Sequence, residues 1–135
     1  MRVFTAAAVF AGVVLACLPG PEASAESVVL PERPGDGRLV FTDNPAIVDA
    51  HPMSAESWSR AGTDRAVVVH FTTGTPECFG VHATVTETAD SVAVELQGGT
   101  LPEAVGRACI MIAVSGALEV PLASPLGDRQ VRSVY

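Results

Sequence analysis

Residues 65–97 read RAVVVHFTTGTPECFGVHATVTETADSVAVELQ, and their periodicity decides the fold class. Val67, Val69 and Phe71 recur at every second position, with Val68, His70 and Thr72 between them. Phe79, Val81, Ala83 and Val85 repeat the pattern against Gly80, His82, Thr84 and Thr86, and Val92, Val94 and Leu96 repeat it against Ala93, Glu95 and Gln97. A period of two places one set on each face of a strand, so three half-buried strands are expected. GTPE, residues 74–77, has hairpin length and turn residues, and predicts that Phe71 pairs with Val81, Val69 with Ala83 and Val67 with Val85. A two-residue turn at Ala89-Asp90 sets Val94 beside Val85 and Leu96 beside Ala83.

Outward from this core the signals are shorter. Gly98-Gly99 is expected to end the third strand, and TLPE, residues 100–103, resembles a capping box with Thr100 as cap and Gly106 as stop. Cys109 to Val114, CIMIAV, is apolar on both faces and predicts a strand covered from both sides. Leu118, Val120 and Leu122 alternate, with Pro121 favouring a sheet edge. SPLGDR, residues 124–129, is a turn built on Pro125 and Gly127, and QVRSVY can return as a last strand. Upstream, LVFT and AIVDA suit short strands, whereas SAESWSRAG offers Ser54 as cap and Gly62 as stop for one or two helical turns carrying Trp58. Six to eight short strands predict an all-β fold: a single small antiparallel β-sandwich, Ig-like, with a partly open β-barrel as the alternative.

The N-terminus has a different character. One charge, Arg2, precedes an uncharged run from Val3 to Leu18 that Pro19-Gly20-Pro21 breaks, the layout of a secretory signal rather than of a membrane span. Ala23-Ser24-Ala25 offers a cleavage site that leaves Glu26 first and the product free. Val14-Leu15-Ala16-Cys17 offers the competing outcome, lipidation at Cys17 and anchoring to the outer face of the cell membrane. The organisation read from the chain is therefore residues 1–25 signal peptide, 26–38 flexible lead-in rich in Pro, Gly and charge, and 39–135 β-sandwich domain.

Removing Cys17 leaves Cys78 and Cys109, an even pair in an exported chain, which predicts a disulfide between them. The formal net charge is −7, with no lysine, and loss of Arg2 and Glu22 leaves that balance unchanged. Such a surface repels phosphate backbones and anionic lipid, which excludes nucleic acid as a partner and leaves a lipid anchor as the only route to a membrane.

The pattern C-F-G-V-H-x-x-V-x-E-T-x-x-x-V from Cys78, with G-R-x-C-I-M from Gly106 and V-P-L-x-x-P-L-G-D-R from Val120, resembles small secreted or lipid-anchored actinobacterial proteins of unassigned function. The likeness covers roughly residues 64–132. It implies an extracytoplasmic compartment and the disulfide, and carries no activity to transfer.

Candidate chemistry is sparse. The hairpin register sets His70 opposite His82 near Glu95 or Gln97, a weak candidate for Zn²⁺ or Cu²⁺, with His51 unplaced as a third ligand. Ser54, Ser57 and Ser115 sit in no recognisable nucleophile turn. Seven aromatic residues are few for a sugar groove. No cofactor is expected. Glu77 and Arg107 are expected to form a surface pair beside the disulfide. The functional expectation is an exported, non-catalytic module that binds a protein or cell-envelope component through a sheet face or the loops 74–77 and 124–129. The alternatives are a metal-binding protein and a secreted protease inhibitor with its bait loop near Cys78.

Overall fold

The computed structural model describes residues 26–135. The expected signal peptide, Cys17 and both processing sites lie outside the described residues. The described chain is all-β, and its nine strands form two sheets around one core. Among the described residues no helix is long and apolar enough to cross a membrane.

The first sheet holds β1 (Ser27–Val29), β3 (Val48–Met53), β6 (Phe79–Glu87), β7 (Ser91–Thr100) and β9 (Gln130–Val134). Ten-residue β7 is its axis. One edge pairs with β6, while the other is shared by β9, parallel over Ser91–Glu95, and β3, antiparallel from Leu96 onward. The second sheet holds β2 (Leu39–Phe41), β4 (Ser57–Arg60), β5 (Ala66–Thr73) and β8 (Val114–Pro121) in the order β2-β8-β5-β4. Pairing is antiparallel except for β2 with β8 and β7 with β9.

Alternation names the core as expected. Val67, Val69 and Phe71 of β5, Val81 of β6, Val92, Val94 and Leu96 of β7, and Leu118 and Val120 of β8 form one buried cluster. Phe41 meets Phe71 edge-on at 5.5 Å between ring centroids, a favourable aromatic arrangement. The β6–β7 turn is the expected one, with Val85 opposite Val94 and Ala83 opposite Leu96.

The β5–β6 hairpin does not form. β5 has β4 and β8 on its edges and β6 pairs with β7, so residues 74–77 carry the chain from one sheet to the other. A period of two specifies which side chains face the core, and a hairpin and a crossing satisfy it equally.

Four further expectations are corrected. Residues 57–60 are a strand rather than helical turns, because Ser57 to Arg60 pair in register with His70 to Val67 and bury Trp58. A helix this short cannot offset its nucleation cost against such an edge. Residues 109–113 are not a strand: Val114 pairs with Thr73, the last residue of β5, and β2 joins β8 only from Gly116, so no edge extends further. Gly98 and Gly99 continue β7 to Thr100 because Met53 and Ile47 occupy the space that Cβ atoms would need. A 3₁₀ turn, Pro102–Ala104, follows with Leu101 rather than Thr100 at its cap, and Gly106 adopts a positive φ of 79°.

The expected flexible lead-in is also overturned. β1 pairs with β9, Leu30 N–H donates to the Val131 carbonyl at 2.9 Å, and Leu30 is only 6% exposed. Immediately after it, Trp58 N–H donates to the Pro31 carbonyl at 3.0 Å and Arg33 N–H to the Trp58 carbonyl at 2.8 Å. The segment thus leaves the first sheet and covers the β4 edge of the second, satisfying backbone groups on both. A matching seam lies after β2, where Asn44 N–H donates to the Val81 carbonyl at 2.9 Å. Two such crossings curl the sandwich toward the partly open barrel.

Candidate functional site: a disulfide-fastened apolar segment

Cys78, just before β6, is bonded to Cys109, 31 residues later, with Cα atoms 6.2 Å apart. Cys78 is buried and Cys109 half-buried, so the bond clips the link between the 3₁₀ turn and β8 onto the body rather than joining two strands. Beyond it, Ile110, Met111 and Ile112 are 67%, 87% and 55% exposed. From Ala108 to Ala113 the backbone runs without turn or bend and joins no strand. No ion pair links Glu77 to Arg107 among the described residues, so the charges expected beside the disulfide do not contribute to it.

Behind this segment the end of the sandwich opens into a groove of about 420 Å³, bordered by Met53, Phe79, Ile110 and Ile112 with Thr72 and His51. The register explains it. Met53 and His51 lie on one side of β3, opposite Leu96 and Gly98, and Met53 packs into the space that a side chain at Gly98 would need, so it forms one wall of the groove. The result is an apolar rim with few polar groups.

His70 and His82 are not brought together. His70 lies in the second sheet, fully buried, with Nδ1 2.8 Å from Ser57 Oγ and Nε2 3.0 Å from Ser59 Oγ. One ring nitrogen donates and the other accepts, which suits a neutral imidazole. Burial pushes its pKa below the ordinary 6.5, the Arg38 guanidinium adds to that, and Glu56 opposes it. The chain passes over the ring at Gly35, where a Cβ would come within 2.7 Å of Nε2. Ser57 and His70 satisfy the distance for a nucleophile and base, but both are sealed from substrate.

His82 belongs to the first sheet, opposite Gln97 as expected, and its Nδ1 lies 3.0 Å from Asp43 Oδ1. The same Asp43 oxygen accepts the Ala83 N–H at 2.8 Å, so this pair fastens the seam after β2. His51 stands on β3 with Nδ1 3.3 Å from the Asp49 carbonyl. The two-histidine metal site is thereby corrected, since it depended on the β5–β6 hairpin. No group of three or more potential metal-ligating residues gathers among the described residues.

Residues 124–129 are tied to the body through Arg129 and Leu126, while Ser124, Pro125, Gly127 and Asp128 stay exposed. The Arg129 guanidinium donates to the carbonyls of Ser124 at 2.9 Å and Pro125 at 2.8 Å and to the Glu87 carboxylate at 3.1 Å. Glu87 accepts the Ala123 N–H at 2.7 Å, which together with Arg129 holds its carboxyl below the usual range against the opposing effect of desolvation. Leu126 is buried beneath them. The Arg129 and Glu87 side chains make this loop a structural clasp.

Fold and site together define a small disulfide-clipped all-β domain that projects an extended apolar segment. No family model, curated protein or solved structure matches the chain.

Proposed function

We propose that the protein is an exported, non-catalytic module that binds a partner protein through residues 107–113. One observation carries this reading: a disulfide holds Ile110, Met111 and Ile112 outward on a backbone with no strand partner. Burying each of those side chains on a partner is worth about 1.5–3 kcal/mol, and ordering them beforehand reduces the entropy lost on association. Three exposed aliphatic side chains in a row suit a protein surface better than a sugar polymer. The net charge of −7 opposes an anionic membrane as the partner.

The bonded cysteines support an oxidising compartment. With the N-terminal segment and the likeness to actinobacterial secreted proteins, they support export, with release after Ala25 favoured over lipidation at Cys17. Capture from the producer's culture medium and envelope, with the triple variant I110S/M111S/I112S as control, tests the binding face, and intact mass of the same samples reads the processing. Partners retained by the wild type and lost by the variant are expected. Equal capture by both proteins refutes the assignment.

A further inference from the structure

Resting on that reading, we infer that the partner is a serine endopeptidase with an apolar specificity pocket, and that residues 109–113 occupy its cleft as a substrate mimic with Met111 in the pocket. Four features of the segment lead there. It is extended, with no turn or bend between Ala108 and Ala113. Among the described residues the backbone groups of Ala108 to Ile112 have no backbone partner, so they are open to pairing with a cleft that reads peptides by strand addition. The most exposed side chain, Met111 at 87%, is the middle one of three exposed apolar residues and the one most accessible to a partner's pocket. Finally, the segment is anchored at both ends, by Cys109 to Cys78 before it and by Val114 pairing with Thr73 after it.

Double anchoring separates an inhibitor from a substrate. The enzyme's serine Oγ adds to the Met111 carbonyl carbon, and cleavage places the acyl group on the enzyme and a free amine on Ile112. In an ordinary substrate that amine departs and water completes hydrolysis. Here the disulfide holds the Met111 side and β8 holds the Ile112 side, so the amine stays beside the acyl carbon and can attack it, reforming the peptide and releasing the serine. No other co-reactant is needed. Preorganisation of this kind makes protease–inhibitor pairs tight for their contact area.

The Ser57–His70 pair, the Asp43–His82 pair and the Arg129 clasp each satisfy neighbouring chain segments, and none presents an open group to a ligand. The extended segment is the feature with unspent backbone and side-chain contacts.

The test uses the chain from Glu26 onward, disulfide intact, titrated against subtilisin, chymotrypsin and trypsin. Stoichiometric inhibition of subtilisin or chymotrypsin with a constant of about 10⁻⁷ M or tighter is expected, with weak action on trypsin. M111K is expected to lose at least about tenfold on the enzyme with the apolar pocket and to gain on trypsin, whose pocket takes a cation. Met111 is exposed, so the variant retains the fold, which far-ultraviolet circular dichroism verifies. Failure to inhibit either apolar-pocket enzyme, rapid cutting at 111–112 with release of active enzyme, or unchanged specificity in M111K each overturns the proposal. Capture that still depends on Ile110–Ile112 while all proteases remain active leaves the binding face standing and removes only the protease. Equal capture by wild type and triple variant removes both.

Discussion

Replacing both bonded cysteines, C78A/C109A, isolates the contribution of the clip. The bond closes a loop of 31 residues, for which chain entropy predicts a loss of about 3.7 kcal/mol at 25 °C. Removing Sγ from buried Cys78 adds a small cavity penalty, and no strand pair is broken, because Cys109 lies outside both sheets. The native circular dichroism spectrum should therefore survive while the urea midpoint falls by about 2–3 M and the melting temperature by about 15 °C. The loop should also change character, with the 110–112 peptide bonds becoming the first sites of limited proteolysis while the sheets remain intact. A loss below about 1 kcal/mol, or an unchanged cleavage pattern, would refute the reasoning that the bond preorganises this segment. A native fold in which both wild-type thiols react with an alkylating reagent would remove the bond itself.

Leu30→Ala tests the ordered N-terminal crossing: a buried leucine at the seam between the sheets should cost about 2–4 kcal/mol by urea denaturation, whereas a mobile lead-in would show almost none. Gly35→Ala drives a methyl group toward His70 Nε2 and should cost about 1–3 kcal/mol, and a neutral result would mean that the chain does not lie over the ring. The lowered pKa of His70 has a defined sign. The unfolded chain takes up the proton first as pH drops below 6.5, so this contribution is complete above that value and is lost as pH falls toward the folded pKa; urea midpoints unchanged between about pH 7.5 and 5 would contradict the buried neutral imidazole. Arg129→Lys keeps the charge but cannot reach Ser124, Pro125 and Glu87 together, and a loss of about 1–3 kcal/mol with a mobile 124–129 loop by hydrogen exchange is the expected outcome.

The candidate site was only half legible in sequence. Pairing of Cys78 with Cys109 follows from counting cysteines in a chain whose N-terminus reads as an export signal, but the character of the residues beside it is not legible. CIMIAV reads as a doubly buried strand because nothing in those six letters reports that β5 stops at Thr73 and leaves no edge to join. Likewise SAESWSRAG offers Ser54 as a cap and Gly62 as a stop, and only the unfilled edge of β5 makes a strand of residues 57–60. The two histidines were placed together by a turn of hairpin length whose residues instead cross between sheets.

By itself the amino-acid order determined which side chains face inward on β5, β6, β7 and β8, the β6–β7 register and its two-residue turn, and the cysteine pair. Those are local facts, set by a two-residue period, by turn chemistry and by parity. Tertiary structure alone decided which strand lies beside which, that residues 27–33 seal one seam and 43–44 the other, and that Ile110 to Ile112 remain outside. The physical reason is that a strand's alternation encodes a face but not a neighbour. Edges are filled by competition among all segments of the folded chain, and residues 110–112 find none.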